Sequence, residues 1–178
     1  MGRRLSLVED RSLEPDLPAA ARALCTAAFG DRFSDEDWEH TCGGERVLVF
    51  DDDDLVGHAA VVPRTITVGE QPFLAGYVEG VAVHPQLQRE GIGRTMMTRL
   101  SAYVRATYEL GALSTGRPGF YARSGWERWS GPSYVRDRDT THRTEDEDDG
   151  LMVLRFGPSA GVALSSSITC LGRSGDDW

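Results

Sequence analysis

The chain contains no lysine: all nineteen of its basic residues are arginine, and 28 acids against them leave a formal charge of −9. Nucleic acid binding through phosphates needs a basic footprint, and this balance excludes one. An acidic field attracts a polycation instead, although acidity that only maintains solubility is the plainer alternative. Long apolar runs are also missing. None approaches 18 residues, so no transmembrane helix is expected. The opening MGRRLSLVEDRS has two arginines but no apolar stretch behind them, which argues against a secretory signal. Cysteines are few and odd in number: Cys25, Cys42 and Cys170 lack metal-ligand spacing and read as free thiols in a reducing cytoplasm. The four histidines, at 40, 58, 84 and 142, are equally scattered, so no catalytic metal is expected.

What is present is an ordinary soluble composition, 40% hydrophobic and 26% charged over 178 residues, enough for one domain spanning 1–178. RRLSLV at 3–8 reads as a strand. Residues 15–29 carry apolar positions at helical spacing and stop near Gly30. Ser34 before DEDWEH is an N-cap with acids in the first turn, which predicts a short helix over 35–41. RVLVF, the tetrad from Asp51 to Asp54 and LVGHAAVV read as a hairpin, its acidic tip a solvated turn and Pro63 a break or bulge in its second strand. A long apolar strand follows over 73–83. The best helix covers 91–110, with Ile92, Met96, Leu100 and Val104 on one face and Gly111 as its stop. ALST is a short strand, residues 118–124 a helix, 137–149 a charged loop, LMVLRF a strand and GVALSSSITC the last strand. The order describes one mixed α/β domain.

The chemistry sits at YVEGVAVHPQLQREGIGR, where the longest strand passes through a short loop into the best helix. Glycines at a helix start let backbone N–H groups approach an anion with the helix dipole behind them. Met96 stands where a dinucleotide fingerprint needs its third glycine, and no Gly-Lys-Ser/Thr follows as a P-loop requires. The pattern of Gln88, Gly91 and Gly93 is weak by itself. Its position and local charge strengthen it: residues 84–105 hold four arginines and one acid, the reverse of the whole chain. A polyanionic ligand is therefore expected here, against the alternative of a plain glycine-rich helix start.

This strand–loop–helix resembles the acetyl-CoA-binding motif of the GNAT N-acetyltransferase superfamily. DEDWEHTCGG (35–44), GHAAVV (57–62), GYVEGVAV (76–83), YELGALS (108–114), YARSGWERWSGP (121–132) and GDDW (175–178) resemble, more specifically, the aminoglycoside 2'-N-acetyltransferases. The resemblance runs in order from about residue 28 to the end. It implies an α/β fold with a mixed, mostly antiparallel central sheet, flanked by helices and splayed at the acetyl-CoA site. It also implies a homodimer, and acetyl transfer to the 2'-amine of an aminoglycoside by direct attack on the thioester in a ternary complex, conferring resistance. A GNAT enzyme for another small cationic amine is the alternative.

Site residues follow from the resemblance. The backbone of Val81, Ala82 and Val83 would pair with the pantetheine arm, with the Val81 N–H as oxyanion donor. Gln88 and the amides of Arg89, Glu90, Gly91, Ile92, Gly93 and Arg94 would hold the pyrophosphate. Glu79, an acid in an apolar strand and therefore costly unless solvated or paired, would receive an amine proton through water. Tyr121 would protonate the leaving sulfur, the phenol and thiol pKa values being close enough for transfer. Asp37, Glu79, Ser114, Asp148, Asp176 and the carboxylate of Trp178 would surround the acceptor's ammonium groups, with Asp149 as a substitute for Asp148. Each has a plainer reading: buried strand, exposed acid, core tyrosine, solvated charge run.

Overall fold

The computed structural model describes residues 2–178. The chain forms two compact units, one of residues up to Val62 with Val78–Leu100, the other of Pro63–Tyr77 with Ser101–Trp178. Strand β3 (Asp54–Val68), strand β4 (Gln71–Val83) and helix α3 (Ile92–Thr107) each contribute residues to both.

In the first unit, β1 (Arg4–Glu9) lies antiparallel on β2 (Glu45–Asp51), with Arg4 opposite Phe50. The other edge of β2 pairs antiparallel with β3 from Glu45↔Val61 to Asp51↔Asp54, around a tip where Asp52 takes φ 53°. Aspartate tolerates that left-handed turn because its short side chain bonds locally. Residues 47–50 are all buried, so this strand reads as continuously apolar. Helix α1 (Leu17–Phe29) ends at Gly30 with φ 67°, and its Leu24 and Cys25 pack on Ala82 of β4. Helix α2 (Asp35–His40) starts as its sequence implies: Ser34 accepts from the Asp37 N–H while Asp37 accepts from the Ser34 N–H. Helix α3 lies close on β3 at Gly57, where a Cβ would stand 2.7 Å from Met96 Sδ.

In the second unit, the strand order is β6 (Glu127–Arg128), β9 (Leu151–Arg155), β5 (Leu110–Ser114), β4, β3, β10 (Ile168–Leu171), β7 (Ser133–Asp137), β8 (Thr140–Arg143). Two of these pairs are parallel, β4 with β5 and β10 with β7; the β4–β5 ladder runs from Ala75↔Leu110 to Tyr77↔Ala112. The short helix α4 (Pro118–Ala122) precedes the buried Trp126, whose indole N–H donates to Ser101. The sheet is mixed and flanked by helices, as expected.

The structure corrects four local readings. Pro63 neither breaks nor bulges β3, because it falls between the β2 ladder, which ends at Val61, and the β10 ladder, which begins at Ile66, where no N–H is required on that side. The irregularity sits instead at Val49/Phe50. Helix α3 ends at Thr107, and Gly111 lies inside β5. The charged stretch 137–149 is not a bare loop, since it supplies β8 and a 3-10 turn at Glu145–Glu147. The last strand occupies only Ile168–Leu171, because the residues before it turn to accept from Trp129, Ser130 and Gly131.

Gly111 is a packing glycine: a Cβ there would stand 2.8 Å from Leu154 Cβ and 2.9 Å from the Trp126 ring. Gly111→Ala is expected to destabilise the protein by about 1–3 kcal/mol through overpacking. Gly116→Ala, with nothing within 4 Å of its Cβ, is expected to be close to neutral. Thermal melts of both variants check this.

Candidate active site

Strand β4 leads into the glycine-rich turn before α3 through a 3-10 turn, Pro85–Leu87. The His84 N–H donates to the Val56 carbonyl at 2.9 Å, and Gln88 Nε2 to the Val83 carbonyl at 3.3 Å, which ties the loop's two ends to the strands. Arg89 takes φ 70° and Gly91 φ 88°, so the backbone turns sharply just before the helix. The first intrahelical bond runs from the Thr95 N–H to the Gly91 carbonyl. The N–H groups of Ile92, Gly93 and Arg94 therefore precede any acceptor within the helix. Nothing lies within 4 Å of a Cβ built on Gly91, so an anion can approach these donors closely. Glu90, the one acid here, pairs with Arg3, and exposed Arg94 adds positive charge. The turn fits a polyphosphate.

The strand before it is kinked. Gly80 has φ 57°, a left-handed conformation that only glycine adopts cheaply, and it separates half-buried Glu79 from Val81, Ala82 and Val83. Ala82 faces the core while Val81 and Val83 are half-buried. Behind Gly80 lies a buried polar network that the sequence reading passed over. Arg46, 1% exposed, donates from Nε to Asp10 at 2.6 Å, and from Nη1 to Thr41 Oγ1 at 3.0 Å and to His58 Nε2 at 2.8 Å. Its guanidinium also lies over the Trp38 ring at 4.7 Å. His58 Nδ1 stands 2.7 Å from the Gly80 carbonyl and 3.5 Å from Cys25 Sγ. Burial pushes the imidazole down to about 4, with Arg46 adding to the effect against the Gly80 bond and Asp10. Burial would raise the Asp10 carboxyl, but the Gly43 N–H and Arg46 outweigh it and hold the group below the ordinary range. A signal was available: an arginine and a histidine each face inward from otherwise apolar strands, RVLVF and LVGHAAVV. Asp37, in this same unit, gives one carboxylate oxygen to the start of α2.

In the second unit, Ser114 Oγ donates to Glu147 Oε2 at 3.2 Å. Burial raises the Glu147 carboxyl above its ordinary value; Asp176 is the next cause, and Asp146 and Asp177 add to it against the serine bond. An open cavity of about 490 Å³ is lined by Ser114, Thr115, Arg128, Asp146, Glu147 and Asp149, among others. Asp148, the residue expected among the acceptor's ligands, is held elsewhere. Both its oxygens take Arg143, and one also accepts from the Ser133 N–H at 3.0 Å and hydroxyl at 2.7 Å. Arg143 first, and then Ser133, hold the carboxyl down at about 2 despite partial burial. Asp149 is exposed and accepts from Arg128 at 2.9 Å. Glu147 is therefore the acid of the EDEDD run that stands beside Ser114. A charge run gives no hint of which member turns inward; that depends on the 3-10 turn.

The last residues are docked. Trp178 is 4% exposed, and its indole N–H donates to Thr144 Oγ1 at 3.1 Å. Asp176 accepts from the Trp178 N–H at 3.3 Å, and Asp177 from the Arg173 N–H at 2.8 Å. Tyr121 is buried against the edge of Phe120, ring centroids 4.9 Å apart. Among the described residues, no three His, Cys, Asp or Glu side chains are grouped to hold a metal ion, and no helix is long and apolar enough to cross a membrane.

Comparison with known proteins adds to this geometry. The acetyltransferase (GNAT) domain family model matches residues 10–129. A curated aminoglycoside 2'-N-acetyltransferase from Mycolicibacterium fortuitum is 38% identical over 177 residues, covering 97% of this chain and 90% of that one. Among solved structures, the GNAT family N-acetyltransferase YhbS of Escherichia coli, determined with CoA, aligns with a TM-score of 0.67 at 16% identity over 94% of this chain and 89% of that one. A GNAT family acetyltransferase from Brucella melitensis, determined with acetyl-CoA, gives 0.63 at 18% identity over 93% and 94%. The structural matches attest the fold.

The Asp148 ion pair has a pH signature. Its folded-state pKa of about 2 lies below the unfolded value, so its stabilisation is complete above about pH 4 and disappears as the pH falls to 2. Asp148→Asn is thus expected to be less stable than the parent at pH 7, with the gap closing towards pH 2. Urea unfolding of both proteins across that range checks it.

Proposed function

The chain belongs to the GNAT acetyltransferases and, within them, to the aminoglycoside 2'-N-acetyltransferase family, and we propose that it moves an acetyl group from acetyl-CoA to the 2'-amine of an aminoglycoside. The observation that carries this reading is the carboxylate-lined cavity, where Glu147 is held half-buried among like charges beside Ser114. Such a site is electrostatically strained when empty and relieved by a polycation. A chain with 28 acids and a basic stretch at 84–105 matches a cationic acceptor and an anionic donor.

Acetyl-CoA, when bound, supplies the acetyl group as a thioester. The unpaired N–H groups at the start of α3 and the guanidinium of Arg94 hold its pyrophosphate, and Gly91 keeps the approach open. The backbone of residues 81–83 aligns the pantetheine arm as an added strand would. The Val81 N–H stabilises negative charge on the carbonyl oxygen as the amine attacks. The nitrogen forms the new C–N bond, and the C–S bond breaks with its electron pair on sulfur. Two protons leave the ammonium: Glu79 passes one to solvent through water, and the second balances the one Tyr121 gives to sulfur. Ser114, Glu147 and Asp176 bind the acceptor's remaining ammonium groups. Asp148 supports the Glu147 turn from behind through Arg143. Acetylating a drug amine removes a positive charge, which is the route to resistance.

Thiol release from acetyl-CoA, measured with aminoglycosides that carry or lack a free 2'-amine, a linear polyamine and a peptide, tests the assignment. Release only with the free 2'-amine is expected; equal release with the polyamine or peptide would overturn it. Glu147→Gln is expected to raise the aminoglycoside KM roughly fivefold or more while leaving acetyl-CoA affinity unchanged. The same variant has a stability sign opposite to that of Asp148. Because the folded pKa of Glu147 is raised, ionisation destabilises the fold as the pH rises past its unfolded value. Glu147→Gln should therefore match the parent's melting temperature near pH 4 and exceed it at pH 7.

A further inference from the structure

We propose that His58 is a positioning residue for the oxyanion donor: it orients the Gly80–Val81 peptide whose N–H stabilises the developing charge. The inference rests on the Val81 assignment above and deepens it. The Gly80 carbonyl and the Val81 N–H belong to one peptide unit. The described peptides include no cis bonds, so the two groups point in opposite directions from one plane. Whatever holds the carbonyl therefore aims the N–H.

The carbonyl is held firmly. His58 Nδ1 lies 2.7 Å from it, and Cys25 Sγ donates to it at 3.8 Å. Arg46 sets the direction of the first bond. A guanidinium only donates, so His58 Nε2, 2.8 Å from Arg46 Nη1, must accept, and the ring's one proton sits on Nδ1, facing Gly80. Asp10 and Thr41 fix the arginine in turn, at 2.6 and 3.0 Å. Arg46 and His58, at the middle of the chain from Asp10 to Gly80, are buried, so each bond polarises the next, and a carbonyl that accepts strongly leaves its peptide N–H a better donor.

The backbone is shaped for this contact. Gly80 has φ 57°, and a Cβ there would stand 2.9 Å from Thr41 Cγ2 and 3.3 Å from His58 Cε1. The left-handed turn and the close approach of the imidazole both require glycine. A strand in ordinary extended geometry would give this carbonyl to a neighbouring strand. Here it faces a side chain, and the Glu79–Val81 segment is set at an angle that the sheet alone does not impose.

The experiment uses His58→Gln and His58→Asn. Glutamine places an acceptor near the Nε2 position, keeping Arg46 satisfied but removing the donor to Gly80. Asparagine places an N–H near the Nδ1 position, keeping that donor. With the parent protein, bound acetyl-CoA labelled with carbon-13 at the thioester carbonyl is expected to show a lowered stretching frequency by difference infrared spectroscopy. In His58→Gln the lowering should shrink and kcat should fall about ten- to hundredfold, with acetyl-CoA affinity and aminoglycoside KM little changed. His58→Asn should recover most of both signals even if its melting temperature is no higher. A full frequency shift and parental kcat in His58→Gln would overturn the positioning role. No shift in the parent would instead overturn the Val81 reading beneath it. Should His58→Gln fail to fold, nitrogen-15 spectra of the parent still decide: Nδ1 must carry the ring proton, and the other tautomer would refute the proposal.

Discussion

Arg46 carries a permanent charge at 1% exposure, and a buried charge is tolerated only when its donors are all answered. Its answers come from well-separated parts of the first unit. Asp10 lies after β1, Thr41 and Cys42 lie after α2, and His58 lies in β3; the Trp38 ring covers the guanidinium face. Loss of Asp10 would leave an uncompensated charge, which typically destabilises by about 3–5 kcal/mol. The segment 41–44, with its two glycines, is thereby held against β2 and β3. A Cβ at Gly44 would stand 2.0 Å from the Val61 carbonyl oxygen, so the chain passes there with no room for a side chain. The interaction that secures a charge in the interior also fixes the shape of β4 where Gly80 departs from the extended form.

The second unit is arranged on an opposite principle. Carboxylates there gather around Glu147 while nearby arginines are committed elsewhere: Arg143 to Asp148 and Arg155 to Glu127. Glu147 faces Asp176, Asp146 and Asp177 with a serine hydroxyl as its named hydrogen-bond partner. Satisfied pairs of this kind stiffen the frame, while under the proposed function the unbalanced group would supply affinity for a positive ligand. Stability and binding are thus divided between adjacent residues, Asp148 and Glu147, which differ by one step along a 3-10 turn.

Much of the fold was legible in the sequence for physical reasons. The Ser34 N-cap, the Gly30 stop, the acidic hairpin tip and the amphipathic α3 are local features, set by a few neighbouring residues. The glycine-rich turn before α3 was legible because its glycines lie together between the longest strand and the best helix. What escaped was set by distant partners. Gly111 looks like a helix stop until Leu154 and Trp126 are placed against it. The stretch before Ile168 alternates like a strand, yet its carbonyls are taken by Ser130 and Gly131. His58 carried a plain signal, a polar ring in an apolar strand, but its meaning lay in Arg46 and Gly80. In EDEDD the composition announces acid without announcing direction.

Cys25 and His58, 3.5 Å apart, have the outline of a thiol nucleophile and its base. Their chemistry is switched off by the same burial that makes them useful to the fold. The thiol is pushed up to about 12 and the imidazole down to about 4, so the proton stays on sulfur and the ring nitrogen keeps its own for the Gly80 carbonyl. An acyl carrier brought to this protein therefore finds no ready sulfur at Cys25 on which to leave its cargo. Cys170, at about 11, is closed in the same way. Neither buried thiol can act as a waystation that charges ahead of demand and then leaks its acyl group to water.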